Sequence, residues 1–187
     1  LMRDNGISVK PNKKFKQTTD SNHRFNIAPN LLDRDFTADR PNQKWAGDIS
    51  YIWTREGWLY LAVVLDLFSR QVIGWSMGSR IDTDLVLNAL LMALWRRQPR
   101  DTVLVHSDQG CQYTSYDWRS MLKGNGLIAS MSRRGNCHDN AVAESFFQLL
   151  KRERIKKRVD LTRETAKRDI FNYIEMFYNP VRRHTAN

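Results

Sequence analysis

The segment WLYLAVVL, residues 58–65, most constrains the fold of this 187-residue chain. It carries hydrophobic side chains at every position, so neither face of the segment favours contact with water. A strand of this kind lies in the centre of a sheet whose two faces are both covered. The chain therefore has to supply further strands beside residues 58–65 and helices against both faces.

The flanking segments predict two more strands of this sheet. WAGDISYIWT, residues 45–54, alternates in the way that a strand requires. Its side chains divide between two faces, with Trp45, Ile49, Tyr51 and Trp53 on one and Ala46, Asp48, Ser50 and Ile52 on the other. REG forms a hairpin loop in which Gly57 can take a positive φ. RQVIGWSM, residues 70–77, completes an antiparallel meander.

The rest of the chain alternates helices with short strands. A helix begins near residue 83, after a cap by Asp82 or Thr83, and ends before Pro99. The patterns then predict a strand over 102–105, a helix over 115–123, a strand over 127–131, a long helix from about residue 140 and a final helix over about 162–178. The order predicts a mixed α/β layer fold.

The net charge of +10 is unevenly distributed. Nine basic and five acidic residues lie in 1–44, eight of each in 45–132, and thirteen basic and seven acidic residues in 133–187. A neutral centre between basic flanks suits a polyanionic partner, because Lys and Arg displace counterions from phosphates. A solvated basic surface is the alternative explanation of the charge alone.

Three carboxylates stand out. Asp48 lies in the middle of a predicted central strand, where an unpaired charge is costly. Asp108 follows the strand predicted over 102–105, and Glu144 lies on the long helix. Each has an ordinary explanation when taken alone: a strand-edge residue for Asp48, a turn or helix cap for Asp108, and a solvated helix face for Glu144.

Taken together, the three carboxylates can meet at one edge of the sheet. They would repel one another unless cations offset their charge. Mg²⁺ prefers oxygen ligands, and two such ions ~3.5–4 Å apart can stabilise both oxygens of an in-line displacement at phosphorus. No GxxxxGK[ST] loop is present, so no nucleotide cofactor is expected, and the basic flanks favour a nucleic-acid phosphodiester.

Thirty-five residues separate Asp108 from Glu144. This spacing, and the phrases WAGDISYI, WLYLAVVLDLFSRQVIGW, HSDQGCQYTS, SRRGNCHDNAVAESFFQLLKRE and FYNPVRRH, resemble the integrase-like catalytic core of bacterial insertion-sequence transposases, in the two-frame group whose second frame encodes that core. The resemblance covers about residues 28–187. It implies a ribonuclease H-like mixed sheet, three antiparallel strands and then two parallel ones, flanked by helices.

The resemblance also implies a chemistry. Asp48, Asp108 and Glu144 are expected to be the catalytic triad and to hold two Mg²⁺ or Mn²⁺ ions. Water would cleave a DNA strand at each element end, and the freed 3′-OH would then be joined to target DNA. Lys151, seven residues after Glu144, matches a position that is often basic and near DNA, and two helical turns place it on the same stripe as Glu144.

The domain organisation follows in part from the same resemblance. Residues 1–44 are predicted to be a basic linker or arm after a missing DNA-binding domain, 45–158 the catalytic core, and 159–187 a truncated C-terminal helical extension. We expect a homo-oligomer acting on DNA in the bacterial cytoplasm, at the nucleoid. No apolar run approaches the ~20 residues of a membrane span.

Several other residues have alternative interpretations. Arg133 and Arg134 are candidate phosphate contacts or members of a solvated loop. Asp139 and Asn140 are predicted to cap the long helix, and Asp66 a turn. His106, Cys111, Cys137 and His138 match no usual zinc site. A structure-selective nuclease and a non-catalytic DNA-binding remnant remain alternative functions.

Overall fold

The computed structural model describes residues 27–134, 136–155 and 162–182. Its five strands are β1 (Lys44–Thr54), β2 (Gly57–Asp66), β3 (Val72–Gly78), β4 (Leu104–Ser107) and β5 (Ile128–Met131). They form one sheet in the order β3-β2-β1-β4-β5, in which β1 to β3 are antiparallel while β4 and β5 run parallel to β1. The predicted mixed sheet is confirmed.

The α-helices are α1 (Thr83–Arg97), α2 (Cys111–Thr114), α3 (Tyr116–Gly124), α4 (Ala141–Leu150) and α5 (Arg163–Asn172). A 3₁₀ turn, Cys137–Asn140, precedes α4, and π-helical turns, Lys151–Ile155 and Tyr173–Tyr178, continue α4 and α5. No helix in the described part of the chain is both long and apolar enough to span a bilayer. Residues 1–26 of the predicted arm lie outside the described residues.

Strand β2 is the centre of the hydrophobic core. Ala62 and Val64 pack on one face of the sheet with α1 and α3, whereas Leu61 and Val63 pack on the other face with α4 and α5. All four are buried. Residues 58–65 are hydrophobic throughout because both faces of this strand are covered, as predicted.

Local signals account for most element boundaries. Asp82 caps α1, with its Oδ1 accepting a hydrogen bond from the Leu85 amide at 3.1 Å. Gly57 closes the hairpin at a φ of +96°. Asp66 accepts hydrogen bonds from the Ser69 amide and hydroxyl, as predicted for a turn cap. The fourth strand was predicted two residues early, because β4 includes His106 and Ser107.

Segments beside the predicted core pack onto it. The amides of Leu31 and Leu32 donate hydrogen bonds to Ser130 Oγ at 2.9 and 3.1 Å, and Leu32 is buried. At the other end, Tyr173, Ile174 and Tyr178 belong to the core beneath the sheet. Both flanking segments therefore contribute to the stability of the sheet and its core.

Helix α1 lies unusually close to β3 at Gly74. A Cβ atom built on Gly74 would clash with the Ala89 carbonyl oxygen and would lie 2.7 Å from the Ala93 amide nitrogen. These atoms belong to the backbone of α1, so they cannot move aside as a flexible side chain could. Because Gly74 has no side chain, the backbone of α1 can pack this close to β3.

We predict that Gly74→Ala lowers the free energy of unfolding by about 1–3 kcal/mol, because the added methyl group overpacks the helix–sheet contact. Gly124→Ala is the matched control, since a Cβ there meets nothing within 4 Å. Urea unfolding of both variants measures the effect. Equal stabilities for the two variants would contradict the close approach.

Candidate active site

The parallel pairing of β1 and β4 brings two of the predicted carboxylates together. Lys44, Trp45 and Ala46 pair with Leu104, Val105 and His106. Asp48 and Asp108 each follow the last pair, Ala46 and His106, by two residues. Asp48 in β1 and Asp108, one residue past the end of β4, therefore lie at the same edge of the sheet, close enough for the charge of Asp108 to raise the pKa of Asp48.

The third carboxylate is brought to the same edge by a contact between α4 and β1. Asn140, at the start of α4, donates a hydrogen bond from Nδ2 to the Gly47 carbonyl oxygen at 3.2 Å. Gly47 directly precedes Asp48. Glu144 lies four residues after Asn140 and therefore one turn along the same helix face. The structure thus brings the predicted triad into one region.

Burial and mutual repulsion disfavour the charged forms of these carboxylates. The pKa of Asp48 is raised well above its ordinary value, first by burial and then by the negative charge of Asp108, with a smaller contribution from Glu144. A hydrogen bond from the Ile49 amide, 2.8 Å from Asp48 Oδ1, opposes the rise. Burial also raises the pKa of Asp108 and of Glu144.

The charges of Asp108 and Glu144 act on Asp48, but the three carboxylates do not form a ready metal-binding site. Among the described residues, no group of three or more His, Cys, Asp or Glu side chains has an arrangement ready to hold a metal ion. Repulsion by Asp108 and Glu144 contributes to the raised pKa of Asp48. The negative charge of this edge is therefore only partly compensated by the protein.

Two further residues belong to this site. Lys151 favours the charged form of Asp48 and lies with its Nζ 5.0 Å from the centre of the Tyr51 ring. Tyr113, which sequence reasoning missed, is buried, and its pKa is raised by burial and by the charges of Asp48 and Asp108. No local pattern marks Tyr113, because only folding brings α2 beside β1.

The loop between β5 and α4 is organised by a buried ion pair rather than by a helix cap. Asp139 is fully buried and accepts two hydrogen bonds from the Arg133 guanidinium, at 2.8 and 2.9 Å, and one from Arg34 Nε at 2.9 Å. Asn140 occupies the N-cap position of α4 as predicted, but without a cap hydrogen bond. The capping role predicted for Asp139 was wrong, because Asp139 finds cationic partners across the loop.

Arg133 and Arg134, the predicted DNA contacts in this loop, differ in their neighbours. The side chain of Arg133 is 51% exposed, but its guanidinium is already bound to Asp139. Arg134 is exposed. Asp139 consequently offsets part of the positive charge of Arg133, and a role for either arginine at DNA stays a prediction.

His106 stabilises the sheet next to the candidate site. It is fully buried in β4, and its two ring nitrogens lie 2.9 Å from Ser130 Oγ and 3.0 Å from Ser132 Oγ. Burial lowers its pKa to about 4, so the ring is neutral near pH 7. These contacts connect β4 to β5 directly before Asp108.

Comparison with known families agrees with this geometry. Residues 38–137 match the sequence family described as the integrase core domain, and residues 144–187 match a second family of that description. The chain belongs to the integrase core domain family. Its predicted resemblance to insertion-sequence transposases of this group is confirmed by the relatives described below.

This integrase core is similar to curated transposases over nearly its whole length. It is 50% identical over 184 residues to transposase InsF for insertion sequence IS3A of Escherichia coli (strain K12), covering 98% of this chain and 64% of that protein. It is 43% identical to the insertion element IS600 uncharacterized 31 kDa protein of Shigella sonnei, of which it covers 68%. The chain thus spans less than two thirds of the InsF length.

Solved structures show the same fold at low identity. The magnesium complex of the HTLV-2 integrase catalytic core domain, in its dimeric form, matches with a TM-score of 0.59 and 15% identity over 81% of this chain and 95% of that one. The catalytic domain of the Mos1 mariner transposase matches with a TM-score of 0.62 and 13% identity over 74% and 72%. The ribonuclease H-like architecture is confirmed.

We predict that Asp139→Asn lowers the free energy of unfolding by about 2 kcal/mol at pH 7, because it weakens buried charged hydrogen bonds. The arginines hold the pKa of Asp139 below its usual range. The ionised carboxylate therefore stabilises the fold fully above the unfolded-state pKa of about 4. This contribution declines as the pH falls below that value and disappears only below the lower pKa of the folded state. Denaturant unfolding between pH 7 and pH 3 should show the deficit shrinking.

Asp101→Asn is the control for this prediction. Asp101 also pairs with an arginine, Arg40, but its side chain is 68% exposed. An exposed pair contributes about 0–1 kcal/mol, so this variant should unfold like the parent. A deficit for Asp139→Asn that is equally large at pH 7 and pH 3 would contradict the ion-pair assignment.

Proposed function

We propose that this chain is the catalytic core of an insertion-sequence transposase that cleaves DNA at the element ends and joins the freed 3′-OH to target DNA. The observation that carries the proposal is the convergence of Asp48, Asp108 and Glu144 at one sheet edge of an integrase core. The similarity to transposase InsF supports the choice of substrate.

The residues at this edge fit divalent metal ions. All three acidic side chains offer carboxylate oxygens, which Mg²⁺ prefers. Burial raises the pKa of each, and repulsion by Asp108 and Glu144 adds to the rise for Asp48; a bound cation would favour their charged forms. Asn140 Oδ1, beside Gly47, is a buried acceptor without a hydrogen-bond partner among the described residues. We propose that Asp48 and Asp108 share two Mg²⁺ or Mn²⁺ ions and that Glu144 holds the second.

Both proposed steps are in-line displacements at phosphorus. In cleavage, a water oxygen bonds to phosphorus, the water loses a proton, and the bond to the 3′-oxygen breaks and leaves a 3′-OH. In strand transfer, that 3′-oxygen bonds to a target phosphorus and a target 3′-oxygen leaves. Bound divalent ions would activate the attacking oxygen and stabilise the charge on the leaving oxygen.

The chain's own residues would orient the DNA for these steps. Lys151, close enough to Asp48 to favour its charged form, would bind a backbone phosphate next to the reacting one. Arg134, and Arg133 to the extent that Asp139 leaves its charge available, would contact phosphates from the β5–α4 loop. The flanking basic charge would add binding that is independent of sequence.

We propose that the protein acts as an assembly of two or more protomers on nucleoid DNA in the bacterial cytoplasm. Two cleaved ends have to be joined in one event, which favours a paired assembly. A basic arm over 1–44, a core over 45–158 and a helical extension over 159–187 remain the proposed organisation. Related integrase cores have been solved in dimeric and trimeric forms.

Asp108→Asn tests the catalytic proposal. We expect cleavage and strand transfer to fall roughly 1000-fold or more, since a lost metal ligand removes several kcal/mol of transition-state stabilisation. Fold and DNA affinity should stay close to those of the parent. The measurement is cleavage and joining of labelled element-end DNA in Mg²⁺, together with the rise in melting temperature on adding Mg²⁺.

The control variant is Asp117→Asn, on the exposed surface of α3. It should cleave, join and respond to Mg²⁺ like the parent. Strand transfer retained by Asp108→Asn would refute the triad assignment. Cutting without joining by the parent would favour a nuclease, and DNA binding without either activity would favour a non-catalytic remnant.

Lys151→Ala tests the proposed phosphate contact. Loss of one phosphate contact should weaken binding to all DNA sequences and reduce the slope of log affinity against log salt by about one unit. Lys123→Ala, an exposed lysine on α3 at the other face of the sheet, is the control. Fluorescence anisotropy across a salt series measures the slope, and an unchanged slope for Lys151→Ala would remove this residue from the interface.

A further inference from the structure

Three aromatic side chains form an exposed cluster at the hairpin end of β1 and β2. Tyr51, Trp53 and Trp58, hereafter the aromatic platform, are 38%, 59% and 41% exposed. The Trp58 ring packs edge-on against Tyr51 at 5.1 Å and against Trp53 at 4.8 Å between ring centres. The three rings therefore support one another while much of their surface faces solvent.

The aromatic platform continues the active-site strand. Tyr51 lies three residues after Asp48 and Trp53 lies five residues after it, which corresponds to roughly 10 and 17 Å along a strand. These odd spacings place both rings on the opposite face of β1 from Asp48. Strand β4 pairs with β1 only through Lys44–Ala46, so it leaves the edge of β1 beyond Ala46 unpaired. A strand of DNA leaving the triad would reach the two rings by crossing this unpaired edge of β1.

Lys151 connects the triad to the aromatic platform. Its Nζ lies 5.0 Å from the centre of the Tyr51 ring, and its charge also favours the ionised form of Asp48. A cation over an aromatic ring is attracted to the ring face. A backbone phosphate bound at Lys151 would thus place the neighbouring bases beside the platform.

Two arginines also lie near the aromatic platform. Arg55 lies at the exposed hairpin tip, and Arg163 Nε donates a hydrogen bond to the Trp58 carbonyl oxygen at 3.3 Å. The nearby acid, Glu56, accepts a hydrogen bond from the Arg163 amide at 2.8 Å, at the start of α5. These cations suit a polyanionic partner such as DNA. They suit a protein partner less well, because protein interfaces are depleted of charged residues at their centre.

We infer that the aromatic platform binds unpaired nucleobases of the DNA strand whose phosphate lies at the triad. Proteins that hold single-stranded DNA combine a basic path for the backbone with aromatic rings on which bases stack. With successive stacked bases about 3.4 Å apart, the platform lies roughly three to five nucleotides from the reacting phosphate. The duplex end would therefore be opened over this distance, and Trp53, the most exposed ring, would stack a base.

Trp53→Ala tests this inference, which rests on the proposed function for the position of the DNA end. The probes are a five-nucleotide single strand, a duplex with an unpaired five-nucleotide 3′ end and a blunt duplex, each carrying 2-aminopurine and each studied in EDTA. The parent should quench 2-aminopurine in the unpaired probes. Trp53→Ala should lose that quenching and bind these probes about tenfold more weakly, with little change for the blunt duplex.

Two variants serve as controls. Trp53→Phe keeps an aromatic face and should retain most of the quenching and affinity. Trp95→Ala removes a 75% exposed tryptophan on α1, away from the platform, and should behave like the parent. Unchanged binding of unpaired DNA by Trp53→Ala, or an equal loss for the blunt duplex, would overturn the inference.

Other outcomes separate the two proposals. If Trp53→Ala changes the sedimentation behaviour of the protein but not base quenching, the aromatic platform is a protein interface and the inference fails. If the parent quenches unpaired bases but never cleaves DNA in Mg²⁺, the proposed function fails while the platform stands. If the parent cleaves DNA in Mg²⁺ but does not quench unpaired bases, the proposed function stands and the inference about the aromatic platform fails.

Discussion

The parallel pairing of β1 with β4 is the constraint on which the candidate site depends. Three residue pairs, ending at Ala46 and His106, place Asp48 beside Asp108. A shift of one residue in this register would turn one carboxylate to the opposite face of the sheet. The hydrogen bond from Asn140 to Gly47 then brings α4, and with it Glu144, to the same strand.

The buried ion pairs around Asp139 hold the segment that carries this hydrogen bond. Asp139 joins Arg34 of the N-terminal segment to Arg133 of the β5–α4 loop, and Asn140 follows it directly. The compensated charge of Asp139 contrasts with the triad, where burial and repulsion raise the pKa of Asp48. The carboxylate of Asp139 thus stabilises the fold through its arginine partners, whereas the charged forms of the triad carboxylates would gain most from a bound cation.

Much of the fold could be predicted because its determinants are local. The hydrophobic run at 58–65, the cap at Asp82 and the turn at Asp66 each act through side chains and backbone atoms that are near in sequence. The triad was predicted because a carboxylate in a central strand is costly without a partner or a cation and because the flanking phrases resemble a known group. The end of β4 was misplaced by two residues, since His106 is polar and its burial depends on serines in β5.

The sequence by itself determined the layered α/β architecture, the central strand and the identity of the acidic residues, because periodicity, turns and charge are properties of short segments. Only the tertiary structure decided that Asp139 forms a buried ion pair instead of a cap and that Tyr113 lies beside the aspartates. It also decided that Trp53 and Trp58 form an exposed cluster. In each case the deciding atoms belong to other strands, helices or loops, and side-chain periodicity along one segment carries no information about what packs against it.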